Sequence, residues 1–253
     1  MCIKLIYLNK IKIGAVSYLN TKPLLYGIKR SELINNISLV EAYPAKIATM
    51  LLNDEIDIGL VPVAVLAQLK NYFIISNYCI GANADVASVS LFSKQPIDTI
   101  ETILLDYQSR TSVALTKILV KKFWKKDVAF IDANENYIEQ ISGTTAGVII
   151  GDRALEYRNN FEYNYDLASA WKSFTGLPFV FATWVANKPI DENFITQFNE
   201  ANKLGLYNID EVVKEIEFKH YDIKKYFTQN ISYEFDAPKK AALQLFLKLL
   251  KEL

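Results

Sequence analysis

The chain has 253 residues, 51% of them apolar, which fits one large domain or two interdigitated lobes with a sizeable core. Lys plus Arg number 28, as do Asp plus Glu, so no charge excess selects a nucleic acid or an anionic membrane surface as partner, and any anion must be caught by local donors. No stretch approaches the ~20 uninterrupted apolar residues of a membrane-spanning helix, and the start MCIKLIYLNKIKIGAV, broken by Lys4, Lys10 and Lys12 and without a small-residue cleavage site, reads as that of a cytoplasmic protein.

From Ile11 to Pro62 short β-branched runs alternate with helical stretches: IKIGAV, TKPLLYGIKR, ISLVEA, PAKIATMLLND, IDIGLVP. This is a β-α-β-α-β rhythm. Pro23 and Pro44 stand where helices begin, since a first-turn proline lacks only an amide hydrogen that would have no helical partner. A long extended run, VASVSLFSK, follows at Val86 to Lys94, and a second α/β rhythm begins with ILLD, a helix from SRTS to about Trp124, VAFID, NENYIEQIS, AGVIIGD and RALEYR. The run PFVFATWVANKP, Pro178 to Pro189, is again extended. The rest is largely helical in pattern and closes with a helix in APKKAALQLFLKLLKEL whose apolar positions are Ala241, Leu245 and Leu249. Two extended runs around a central block predict that the chain leaves a first lobe near residue 91 and returns near 184, a paired crossover that acts as a hinge.

Ligands of open α/β sheets bind beyond the carboxyl ends of strands, where helix starts offer unpaired amides to anions. Four segments have that character. In SYLNTKP, Ser17, Asn20 and Thr21 surround a helix start, and either capping or ligand contact accounts for them. In DYQSRTS, Ser109, Thr111 and Ser112 head a helix as a carboxylate cradle, or cap it with Arg110 solvated. In VASVSLFS, Ser88 and Val89 offer a hydroxyl and a strand amide beside the crossover, unless Ser88 is an ordinary strand serine. In IIGDRA, Gly151 allows a close backbone approach, and Asp152 reads as the cap of the next helix.

The usual machinery is missing: no GxSxG, P-loop, HExxH, CxxC or GxGxxG pattern occurs. Cys2 and Cys79 form no metal-spacing motif and read as structural thiols. No metal and no cofactor are expected. The single histidine, His220, lies in EFKHYDIKK, a polar helical stretch where a surface role is expected. Nothing in the pattern sets an oligomeric state.

SYLNTKP, LNDEIDIGLVP, VASVSLFS, LDYQSRTSVAL, IIGDRAL and DLASAWKSFTGLPFVFATW, in that order between Ser17 and Trp184, resemble the chorismate dehydratases of the futalosine route to menaquinone. The set is specific, above all SRTS together with TGLPFVFATW, and residues 1–10 fall outside it. The resemblance implies a two-lobed type II periplasmic-binding-protein-like α/β fold with two hinge-crossing strands. Lobe one would be residues 1–90 plus 185–253, lobe two 91–184, with the ligand cleft between them. It implies loss of water from chorismate, a small dicarboxylate, giving 3-[(1-carboxyvinyl)oxy]benzoate. Ser17, Asn20, Ser88, Val89, Ser109, Thr111, Ser112 and Gly151 would bind substrate, with Asn20 orienting a carboxylate or the leaving hydroxyl in catalysis. The sister enzyme of the pathway, 1,4-dihydroxy-6-naphthoate synthase, and a non-catalytic carboxylate-binding protein share the fold. The first carries an active-site histidine that His220 does not match, and the second is normally exported.

Overall fold

The computed structural model describes residues 10–253; Cys2 and the segment read as an extension lie outside the described residues, apart from Lys10. Two sheets organise the chain. The first runs in the order β11 (Ser232–Glu234), β4 (Phe73–Ala82), β10 (Phe179–Ala186), β3 (Ile58–Pro62), β1 (Ile11–Val16), β2 (Ile37–Ala42). β1 pairs in parallel with β2 and β3, while β10 is antiparallel to both β3 and β4. The second sheet runs β7 (Ala129–Asp132), β6 (Thr102–Leu105), β8 (Thr145–Ile150), β5 (Val89–Ser93), β9 (Tyr163–Asp166). Every residue of β3, β5 and β10 is buried, so these strands are covered on both faces.

The β-α-β-α-β start is realised as expected. Helix α1 (Lys22–Arg30) and helix α2 (Pro44–Leu52) each carry a proline in the first turn. α2 lies over β1 and β3, and α1 packs on α6 (Glu192–Tyr207) so closely that a Cβ on Gly205 would lie 1.7 Å from the carbonyl oxygen of Pro23. That contact fixes α1 and with it the turn that carries Asn20. Helix α3 (Arg110–Ile118) continues as a π-helical turn to Phe123, close to the expected end at Trp124.

The chain passes from the first sheet to the second between Ala82 and Val89 and returns between Asp166 and Phe179, with α5 (Leu167–Thr175) on the way back. Each extended run therefore stays in one sheet: β5 pairs with β8 and β9, β10 with β3 and β4. The run from Val86 is not strand throughout, because Val86, Ala87 and Ser88 form a turn around Ala87 at φ +63 before β5 begins.

Two further details differ from the sequence reading. In the closing helix, α9 (Ala237–Leu250), the buried stripe is Lys239, Ala242, Leu243, Phe246 and Leu249, while Ala241 is exposed and Leu245 half-buried. The stripe rotates because Lys239 can be buried: its stem packs beside Gly81, and its ammonium lies 3.2 Å from Asp236, which also caps the helix. His220 is exposed in an irregular segment rather than a helix; the helical turn starts only at Ile223, where Asp222 accepts from the Lys225 amide.

Candidate active site

A cavity of about 510 Å³ of empty space, its open mouth included, lies where the two sheets face each other. Its wall is drawn from carboxyl ends of parallel strands and the residues just after them. Val16 ends β1, Pro44 follows β2, Pro62 ends β3, Ser109 follows β6 and Ile150 ends β8. This is the position in which open α/β sheets place ligands.

Asn20 reaches the cavity from the first sheet's side, Ser88 and Val89 from the passage, Ser109, Thr111 and Ser112 from the head of α3, and Gly151 from the turn after β8. Ser17 is not among the lining residues. It is exposed and its amide donates to the Ala42 carbonyl at 3.0 Å, because the chain turns directly after β1 and points the next residues, not Ser17, at the cavity.

The hydroxyls share one arrangement. Thr111 Oγ1 accepts from the Ala64 amide at 3.2 Å, Ser109 Oγ from the Ser112 amide at 3.0 Å, and Ser88 Oγ from the Tyr226 hydroxyl at 2.7 Å. A hydroxyl has one hydrogen to donate, so each oxygen that the protein occupies as an acceptor keeps its own O–H for a ligand. Asn20 follows the same rule: its Oδ1 accepts from Thr21 Oγ1 at 3.2 Å and its backbone carbonyl accepts from Tyr233 at 2.9 Å. The start of α3 adds unpaired backbone amides. The remaining wall is apolar, with Val16, Pro44, Pro62, Ile80 and Phe181.

Among the lining residues there is no lysine, arginine, histidine or carboxylate. The one titratable side chain is Tyr18, whose phenol is pushed well up by burial and then by the charge of Asp106, so it stays neutral. The site can hold an anion with neutral donors set in a largely apolar wall. Among the described residues no group of three or more His, Cys, Asp or Glu could hold a metal ion, and no helix is long and apolar enough to cross a membrane.

Several bonds tie the two sheets' elements across the cavity. Tyr18 donates to Gln108, the Leu19 amide to Asp152 Oδ1 at 3.0 Å, and Arg110 Nη1 to Gln68 Oε1 at 3.0 Å. Asp152 is thus a cross-cleft acceptor, not the cap expected from IIGDRA. Burial pushes its carboxyl up to about 6, the Leu19 amide opposing the rise and Glu156 adding to it. Arg110 is likewise not simply solvated. Gly151 stands at φ +64 with Tyr18 ring carbons 3.0 Å from where a Cβ would be; the close approach expected there is that of Tyr18. His220 lies outside the wall, edge-on to Phe218 at 5.4 Å.

Sequence reasoning misses Tyr18, Phe181 and Tyr226. The first two lie inside SYLNTKP and TGLPFVFATW, so their motifs carry a signal. Tyr226 lies 138 residues from Ser88 and no local pattern points to it.

Solved structures similar to this chain share its two-sheet architecture. One is an Archaeoglobus fulgidus protein, 15% identical, covering 96% of this chain and 97% of that one, with a TM-score of 0.77. Another is a Candida albicans protein described as exhibiting the generic periplasmic binding protein structural fold, 13% identical over 97% and 91% of the two chains, TM-score 0.68. A third is the periplasmic aliphatic sulphonate binding protein of Escherichia coli, 15% identical over 96% and 92%, TM-score 0.62. The fold is that of periplasmic binding proteins. Two curated relatives are named chorismate dehydratase: that of Thermus thermophilus, 25% identical over 94% of each chain, and that of Campylobacter jejuni, 28% identical over 95% of this chain and 97% of its own length. The family model described as menaquinone biosynthesis matches residues 11–252, and the chain belongs to that family.

Proposed function

We propose that the protein is a chorismate dehydratase of the futalosine route to menaquinone, a cytoplasmic hydro-lyase that needs no metal and converts chorismate to 3-[(1-carboxyvinyl)oxy]benzoate. The observation that carries this reading is a wall of neutral donors with their acceptor sides occupied, and without any charged side chain. Family membership and the names of two relatives that match nearly the whole chain support it.

Dehydration removes the ring proton beside the ether oxygen and the neighbouring hydroxyl, and aromatisation drives it. A base is required, and the lining residues supply none that is ionised at neutral pH. The substrate's own enolpyruvyl carboxylate takes the proton, held in place by the closed lobes. Well-oriented intramolecular reactions gain roughly 7 to 11 kcal/mol from such positioning. Ser88, Thr111 and Ser112 hold carboxylates, with Ser109, Val89 and Gly151 lining the same cavity. Asn20 orients a carboxylate or the departing hydroxyl through its amide hydrogens. The lobes, one built on each sheet, close by bending at the two passages.

Incubation of purified, metal-stripped protein with chorismate, followed by chromatography and mass measurement, tests the assignment. The enolpyruvyl-bearing benzoate is the expected product. Tight binding of chorismate without turnover would mean a receptor, and neither binding nor turnover would direct the assay to the substrate of the sister enzyme.

A further inference from the structure

Val86, Ser88 and Val89 line the cavity, and the residue among them that does not is Ala87, fully buried at φ +63. The Ser88 amide donates to the Val86 carbonyl at 2.8 Å and closes a three-residue turn around it. A left-handed backbone is strained for a residue with a Cβ and persists only where the surroundings over-determine it.

Those surroundings converge on one carboxylate. Asp166 Oδ2 accepts from the amides of Val86 and Ala87 at 3.0 and 2.8 Å, and Oδ1 accepts from the amides of Ala168 and Ser169 at 3.0 Å each, capping α5. Arg158 Nη1 donates to the Ala87 carbonyl at 3.1 Å, and its other terminal nitrogen lies 3.5 Å from Asp85. Asn230 donates to the Asp85 carbonyl at 3.0 Å. Asp166 therefore joins the passage out of the first sheet to the helix on the passage back, and is not itself part of the cavity wall.

We propose that Asp166 is a positioning residue of this site: by holding the two amides of the Ala87 turn it fixes where Ser88 and Val89 stand in the cavity wall. The inference rests on reading the cavity as the substrate site. An aspartate is needed because both of its oxygens accept, whereas an asparagine sets an NH2 group against one of the two amide pairs.

Asp166→Asn, Ala87→Gly and the double variant test it. Glycine adopts the left-handed turn without strain, so it removes the need for the clamp but leaves the α5 cap damaged. Asp166→Asn is expected to lower kcat/KM for chorismate about 10-fold, the scale of a buried amide left without its hydrogen-bond partner. Adding Ala87→Gly should restore most of the turnover while the thermal midpoint stays depressed. A purely structural role would move turnover and midpoint together. An Asp166→Asn variant with unchanged kcat/KM, or a loss of the same size when Ala87→Gly is already present, overturns the inference. If Asp166→Asn does not fold, the double variant is expected to fold and turn over; failure of both locates the effect in the cap and overturns it as well. If the wild-type protein makes no benzoate, the functional reading fails separately, and amide exchange without substrate decides the turn. Faster exchange of Val86 and Ala87 in Asp166→Asn, with Ile103 unchanged, supports the clamp, and equal exchange at all three contradicts it.

Discussion

The two polar walls of the cavity are assembled in different ways. At the head of α3, Ser109 accepts from the amide of Ser112, three residues on, so the geometry follows from an N-cap written in four consecutive residues. At the other the Ser88 hydroxyl is set by Tyr226, 138 residues away, and the backbone before it by Asp166 and Arg158, 79 and 71 residues from Ala87. The local wall is held by helix formation itself. The distant wall depends on the whole fold being in place, and a single remote substitution can disturb it while leaving every lining residue intact.

The largest expected effect comes from Asn20, which lines the cavity from the first sheet's side. Asn20→Asp replaces two donated hydrogens with a negative charge beside a dianion and is expected to cut kcat/KM by ~100- to 1000-fold, as losing an oriented donor does. His220→Ala, on the surface, should stay within ~0.5 kcal/mol in stability and keep wild-type turnover; equal losses in the two variants would remove Asn20 from the site.

Tyr226→Phe breaks the distant wall at its hydroxyl pair and is expected to cost about 10-fold in kcat/KM, the scale of one hydrogen bond, through a Ser88 that is no longer held. Ser109→Ala breaks the local wall and is expected to appear first as about 1 kcal/mol of lost stability, the usual value of an N-cap, with a smaller change in turnover. Urea denaturation beside steady-state kinetics separates the two, and a reversed pattern would contradict the comparison.

A pH-dependent effect is expected at Asp152, which ties Leu19 across the cleft. Its carboxyl sits at about 6 in the folded protein, above the ordinary carboxylate value, so the folded state binds the proton first. The stability this group contributes is present below the ordinary carboxylate range and is lost as pH rises through about 4 to 6. Asp152→Asn keeps an acceptor for the Leu19 amide and should remove that fall. Denaturation midpoints from pH 4 to 7.5 for both proteins should diverge as pH rises, and parallel curves would contradict the assignment.

The same division governs what is legible in the sequence. The strands and first-turn prolines of residues 11–62 can be read, because periodicity and proline placement are local, and the Ser109 cap on Ser112 can be found from helix-start chemistry. The Ala87 turn cannot, since VASVSLFS alternates like a strand and its partners Asp166 and Arg158 lie 79 and 71 residues away. The buried face of α9 is misplaced for a related reason: Lys239 counts as polar in any pattern, yet Asp236 and Gly81 give it a buried berth. Asp152 and Arg110 look locally like a cap and a solvated charge, and their partners Leu19 and Gln68 become visible only once the two sheets face each other.

The central claim is that the protein supplies positions and donors while the substrate supplies the base. The direct test is chorismate esterified at its enolpyruvyl carboxylate, offered at saturating concentration with its binding measured independently by calorimetry. The expected result is measurable binding without benzoate formation, under conditions in which chorismate itself is dehydrated. Turnover of the ester at a rate close to that of chorismate would mean that a group of the protein takes the proton, and would contradict the account.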